Sequence, residues 1–517
     1  MASEKLNIDI IENTEKKFPF HTFLFATLPF LLLFQENIQD LHLQDIVLPI
    51  LFSVGILFIH WIILRKFIGS DKSALILSFL IIVLISFAYV RSSLWKINWA
   101  TGEIEAHFLS QNIILIPIFI PIVILGIIFI SKKKISSKIT TIMNVIGFVV
   151  LLSIITQIGI FYIEHNATVD EVKSYFDIEI PIVNENQKPN IYFIVLDSYP
   201  GESRLNGFYN YDNSEYYEQL RERGFYLQTS TFSNYPNTEF SVPSMLNMNY
   251  VDSIIKEKKF QNLLLMKDLS IDSIAADIFR ENDYQLFSYG VNDYTYMKHG
   301  ENLCIKKSIL KDDILNTFYS RYIPISSIRN FLEIHYIANH ADNILCTIES
   351  LKNFNPDSNE PFFIYAHMMF PHGPYIFDSS GNIIDEVTEN KKIKFAFLDQ
   401  VKFANKFSIE IIDSIQNKDP NAVIILTSDH GDRIGLEDIE LKNYIAGMNV
   451  MTALSFPEKN LSVQEKITNV NLFRILFNTY FDTEFEILEN RIFWYDSSNP
   501  SERYEHENVE EELKEFL

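Results

Sequence analysis

Two cysteines in 517 residues, Cys304 and Cys346, are too few for a zinc-binding cysteine cluster. They leave one choice open: a disulfide if the compartment oxidises, or two free thiols. A basic surplus is also missing. The chain has 43 Lys+Arg against 66 Asp+Glu, a net charge of −23. Residues 1–162 are nearly balanced, with 12 basic and 10 acidic residues. The remainder holds 31 basic and 56 acidic residues, net −25. So acidic a stretch excludes nucleic acid and anionic lipid surfaces as partners through general electrostatics. An anionic substrate there needs a bound cation or a local basic pocket. Internal repeats and low-complexity tracts are absent, and the length exceeds one typical domain.

Long apolar runs are present, all near the N-terminus. They cover 18–34, 45–64, 73–90, 112–131 and 139–162. Most reach the ~20 residues that cross a bilayer as a helix. Repetition of the runs, with no small-residue cleavage site after the first, argues for five spans and against a signal peptide. Lys16, Lys17, Arg65, Lys66, Lys72, Lys132, Lys133, Lys134 and Lys138 fall on one side of such a bundle. Glu36, Asp40, Asp45, Glu103 and Glu105 fall on the other. Lysine and arginine mark the cytoplasmic side. The expectation is an N-terminus inside and everything after Tyr162 outside, with 1–162 an all-α transmembrane domain of five helices.

Residues 163–189 read as a polar linker, 190–490 as a catalytic domain and 491–517 as an acidic tail, exposed as a helix or disordered. The domain opens on Asn190-Ile-Tyr-Phe-Ile-Val-Leu196, a buried strand ending in Asp197. Further strands are expected at 224–228, 284–289, 361–367, 422–427 and 450–456, with helices between them, including 214–223, 395–416 and 469–481. Alternation of this kind argues for a mainly parallel central sheet with helices on both faces.

Four islands carry chemistry. Asp197 follows the first strand. Ser233-Asn-Tyr-Pro-Asn-Thr238-Glu-Phe-Ser241-Val-Pro-Ser244 is rich in hydroxyls and precedes a helix expected at 244–249. His367 and His372 flank a strand end and a proline turn. Asp429-His430-Gly431 ends the run Val423-Ile-Ile-Leu-Thr. Ligands gather where the strands of open α/β sheets end. Asp197, Asp429 and His430 can therefore converge on one divalent ion, and their oxygen and nitrogen donors favour zinc or manganese over magnesium or calcium. Against that stands plain helix capping, which accounts for a lone Asp or Ser after a strand. Thr238 and Ser241 are the nucleophile candidates. His367 and His372 suit acid–base work, phosphate contact or a second metal.

The order of these islands resembles the sulfatase branch of the alkaline phosphatase superfamily, from about 189 to 481. Spans followed by an outer domain are similar to lipoteichoic acid synthases and lipid A phosphoethanolamine transferases. The resemblance implies an α/β sulfatase-like domain, Thr238 as nucleophile and Asp197, Thr238, Asp429 and His430 as metal ligands. It places His372 with the phosphoryl group or a second metal. It also implies a metalloenzyme of the cell envelope that moves a phospholipid-type headgroup onto a cell-surface glycan or lipid. Hydrolysis of phosphate or sulfate esters at the same site is the alternative. Several positions depart from the pattern. Met245 stands where sulfatases carry Arg, which argues against sulfate esters and keeps Ser241 as the second nucleophile candidate. Asp197 and Ser244 replace a Glu and a Cys of the transferases. Asn449 lies where they carry a further histidine.

Overall fold

The computed structural model describes residues 17–38, 41, 43–101, 112–176, 178, 180–182, 188–252, 263–290, 297–304, 318, 326–355, 360–385, 390–435, 447–457, 459, 467–494 and 507–508. The chain forms two compact units, Met1–Glu164 with Ser308–Ile334, and His165–Lys307 with His335–Leu517.

The first unit is helical: α1 Phe20–Glu36, α2 Leu43–Ile68, α3 Ser70–Thr101, α4 Asn112–Lys132 and the start of α5, Ser137–Tyr175. Among the described residues, four helices are long and apolar enough to cross a membrane, in segments 43–68, 70–91, 115–132 and 137–174. The expected count was five. The difference is α1, whose 17 residues start after Pro19 and stop at Glu36. At 1.5 Å per residue it is about 25 Å long, short of the ~30 Å hydrocarbon core. Many large apolar side chains of α2, α4 and α5 are exposed, for example Leu51, Ile59, Leu125, Phe129 and Val149. An apolar exterior of this kind suits lipid as solvent. α5 runs past the apolar stretch, so 163–175, the first part of the expected polar linker, is helical. Val172 and Phe176 there are buried against Tyr235, Phe240 and Leu265.

The second unit is built on a seven-stranded sheet ordered β2-β7-β6-β1-β5-β3-β4. Its strands are β1 Ile191–Leu196, β2 Tyr226–Phe232, β3 Gln285–Tyr289, β4 Glu301–Leu303, β5 Phe362–Met368, β6 Val423–Thr427 and β7 Asn449–Ser455. β1 is parallel to both β5 and β6, and β3 to β5 and β4. β7 runs antiparallel to β6 and β2, so the sheet is mixed. β1, β5, β6 and β7 are buried along their whole length, as sheets covered on both faces require. Alternate side chains feed two cores. Ile194, Leu196, Ile364 and Leu426 pack with Tyr216 and Leu220 of α6 (Ser214–Glu222). Phe193, Val195, Phe363, Tyr365 and Ile425 pack with Phe279 and with Phe473 and Phe477. Those rings come from the helices Ile274–Glu281 and Leu472–Tyr480. Cys304 and Cys346 are joined in a disulfide across 42 residues. A two-stranded ribbon pairs Phe493–Trp494 with Glu507–Asn508. The rest of the acidic tail lies outside the described residues.

Candidate metal centre

Register explains why the islands meet. Leu196 of β1 lies beside Met368 of β5, and Val195 beside Thr427 of β6. The chain leaves all three strands at the same edge. Asp197 follows β1, His367 sits at the end of β5 and Asp429 lies two residues beyond β6. The amide of Asp197 donates to the Met368 carbonyl at 3.0 Å. Ser198 then takes a left-handed conformation, φ 66°, which turns its hydroxyl back to Asp197 Oδ1 at 2.9 Å. Its backbone N–H donates to Asp429 Oδ1 at 3.4 Å.

Asp197, His367 and Asp429 each offer a ligand atom, all within 4.8 Å of one another. His367 Nε2 lies 3.6 Å from Asp197 Oδ2 and 3.8 Å from Asp429 Oδ2. His430 Nε2 lies 3.6 Å from Asp197 Oδ1 and from Asp429 Oδ2. Thr238 Oγ1 donates to Asp429 Oδ2 at 2.7 Å and sits 3.3 Å from His430 Nε2. His367 and Asp429 are 1% and 0% exposed. Buried carboxylates and imidazole lone pairs converge without enough protons to satisfy them. His367 Nε2 is buried without a hydrogen-bond partner. Such a cluster is stable only with a cation or an extra proton in its midst. The donor set of carboxylates, imidazoles and a hydroxyl fits a divalent cation.

The tautomers agree with that use. His430 Nδ1 is 2.8 Å from the Gly431 carbonyl, an acceptor, so Nδ1 carries the proton and Nε2 is free to bind. His372 does the same with the Gly373 carbonyl at 2.8 Å, but its ring is exposed at the rim. Burial pushes the Asp197 carboxyl up, yet the imidazoles of His372, His367 and His430 more than offset this and hold it well below the usual carboxylate range. Burial lowers His367, and the carboxylates of Asp197 and Asp429 outweigh it, so the ring holds a proton more tightly than usual. Tyr365 faces His367 Nδ1 at 2.9 Å. Burial and those same carboxylates push its hydroxyl well above the ordinary tyrosine range, so it stays protonated.

Thr238 stands at the first position of α7, Thr238–Leu246. The helix was expected at 244–249. Asn237, extended at φ −151°, instead caps the helix six residues earlier. Ser241 does not face the cluster in the same way. It is 1% exposed and its hydroxyl donates to the Asp429 carbonyl at 2.6 Å. Asn449 is spent on structure, with its Nδ2 donating to Ser230 Oγ at 2.8 Å and to the Thr231 carbonyl at 3.1 Å.

Supports that the sequence reading passed over hold the Asp429 turn. Asn469 Nδ2 donates to the Ser428 carbonyl at 2.8 Å. Arg204 makes two 3.0 Å bonds to Asp432, from Nε and Nη2, and Tyr209 donates to Asp432 Oδ1 at 2.6 Å. Gly431 passes so close to the next strand that an added Cβ would lie 2.3 Å from the Gly447 oxygen and 2.8 Å from the Asn449 oxygen. Both neighbours are backbone and cannot yield. Gly431→Ala is therefore expected to push the turn off β7, with about 2–4 kcal/mol lost and bound metal lost with it. Wild-type metal content and unfolding in that variant would contradict this packing.

A model of the Sulfatase family matches residues 189–474. Curated proteins give no match. Among solved structures, the chain is similar to the C-terminal periplasmic domain of EcEptC from Escherichia coli in complex with zinc. Identity is 11%, over 64% of this chain and 96% of that one, with a TM-score of 0.39. The integral membrane lipooligosaccharide phosphoethanolamine transferase A of Neisseria meningitidis shares 13% identity. It covers 88% of this chain and 92% of its own, at a TM-score of 0.36. A 2-O GAG sulfatase shares 11% identity over 60% of this chain and 77% of its own, TM-score 0.35. At such values these likenesses carry no argument about the reaction.

Proposed function

Because this chain belongs to the Sulfatase family, whose members act on phosphate or sulfate esters, we propose that it is a membrane-anchored, metal-dependent phosphotransferase using Thr238 as nucleophile. The observation that carries the assignment is the contrast between two hydroxyls. Thr238 Oγ1 is 2.7 Å from Asp429 Oδ2 at the mouth of the cluster, whereas Ser241 Oγ is engaged by a backbone carbonyl. Thr238 Oγ attacks the phosphorus of a phospholipid-type donor. One P–O bond forms to Thr238, and the P–O bond to the diacylglycerol oxygen breaks. An acceptor hydroxyl on a cell-surface glycan or lipid then displaces Thr238 from phosphorus.

Asp429 Oδ2, which accepts the Thr238 hydrogen bond at 2.7 Å, is placed to take the Thr238 proton. His372, with Nδ1–H held by the Gly373 carbonyl, keeps Nε2 for giving a proton to the leaving oxygen and taking one from the acceptor. Asp197, His367, Asp429 and His430 would hold the divalent cation, with Thr238 completing the set. A bound cation supplies Lewis-acid charge at the phosphoryl oxygens. His367 thus moves from an acid–base role to a ligand role. Met245 in place of an arginine favours phosphate over sulfate esters.

We place the catalytic unit, about 190–490, outside the cytoplasmic membrane, with the N-terminus inside and α1 as a fifth crossing, its few missing ångströms met by local thinning of the bilayer. The loop lysines and arginines support this, and so does the Cys304–Cys346 disulfide, which belongs to an oxidising compartment. The test is product analysis of the full chain in detergent with a labelled phospholipid, with and without a polyol. Headgroup phosphate on the polyol together with diacylglycerol is expected. Free headgroup phosphate in equal yield under both conditions would move the assignment to a phosphodiesterase.

A further inference from the structure

The charges at this site do not hold an anion unaided. Asp197 and Asp429 carry two negative charges, and a divalent cation cancels them. A phosphodiester arriving at Thr238 brings a further negative charge, in a stretch, 163–517, whose net charge is −25. Some basic group of the protein has to meet it.

Two arginines lie beside the Asp429 turn. Arg204 is consumed: it is 6% exposed, gives two bonds to Asp432 and a third to the Ile434 carbonyl. Arg433 is different. It follows Asp432 in sequence but is exposed, while Asp429, His430 and Asp432 are buried. Its Nη2 donates to the Pro236 carbonyl, two residues before Thr238. Among the described residues no carboxylate lies within ion-pair distance of it. One N–H of the guanidinium is therefore used as a tether to the nucleophile segment, and four remain for a ligand. An exposed arginine is ordinarily a solubilising surface group. One pinned beside the nucleophile and left unpaired in so acidic a domain is not in the ordinary position.

We infer that Arg433 is the phosphate-binding residue of this site, gripping the non-bridging oxygens of the ester presented to Thr238. This rests on the phosphoryl-transfer reading above and adds the group that recognises the anion. A planar guanidinium fits two phosphate oxygens at once, which a lysine ammonium does not.

The experiment uses the full chain in detergent, loaded with zinc, and inorganic phosphate as the probe, titrated by calorimetry. Arg433→Ala should weaken phosphate binding about 10- to 100-fold, and Arg433→Lys should recover part of it. Zinc content and thermal unfolding should be unchanged, since the side chain is exposed and ligates nothing. Arg433→Ala binding phosphate within twofold of wild type, or wild type binding none, overturns the assignment. Phosphate binding that depends on Arg433, in a protein that turns over no phosphodiester, sustains it while sinking the transferase reading.

Discussion

Thr238→Ala is expected to lower turnover of a phosphodiester by at least about 10⁴-fold, the scale seen when a nucleophile acting with its partners is removed. Zinc content should stay near wild type, because Asp197, His367, Asp429 and His430 remain to hold it. Ser241→Ala is the matched control. Its hydroxyl supports the Asp429 carbonyl at 2.6 Å, so its loss should cost about 1–3 kcal/mol of stability and leave most of the turnover. Asp429→Asn should behave differently from both. Asp429 Oδ2 is shared by Thr238, His367 and His430, so this variant should lose metal and turnover together. Turnover retained in Thr238→Ala and lost in Ser241→Ala would exchange the two roles.

The second large effect lies away from the chemistry. Asp432→Ala should destabilise the second unit by about 3–5 kcal/mol, the range for stripping one partner from a buried ion pair. Arg204 and Asp432 side chains are 5% and 2% exposed. The guanidinium left behind would be a buried charge without a counter-ion. The pair also ties the turn after β1 to the turn after β6, the two that carry Asp197 and Asp429. Metal affinity should therefore fall with stability. A double variant, Arg204→Met with Asp432→Leu, should recover most of the stability, because apolar replacements of a buried pair are often neutral. Thermal unfolding in detergent separates these outcomes. An Asp432→Ala protein within 1 kcal/mol of wild type would mean that the pair is not holding the turns.

Strand ends are visible in sequence, and so Asp197, Asp429 and His430 pointed to one ion; Thr238 joined them through the family resemblance. Unbroken apolar runs made β1, β5 and β6 legible, because a strand covered on both faces is buried at every position. Three things were not legible. The direction of β7 depends on how the chain returns beside β6, which residue types do not encode. The number of spans was blurred because the 18–34 run is no longer than α1 itself, 17 residues, and sits just under the ~20 that cross a bilayer. The supporting residues were hidden for another reason. Arg204 and Asn469 act through backbone carbonyls far along the chain, and the Ser198 amide reaches Asp429. Tyr365 alone left a trace, two residues from His367 on the same strand face. His367 itself was visible as part of a site, but its position between two carboxylates follows from the β1–β5 register, which no single segment contains.

The proposed reaction turns on Thr238 taking the phosphoryl group. The direct measurement is mass spectrometry of the peptide containing Thr238, after brief reaction of the full chain with a phosphodiester and acid quench. The account predicts a phosphate-bearing adduct on Thr238 that forms only with metal present and is lost when an acceptor alcohol is added. Steady turnover with an unmodified Thr238, or an adduct on Ser241, would contradict it.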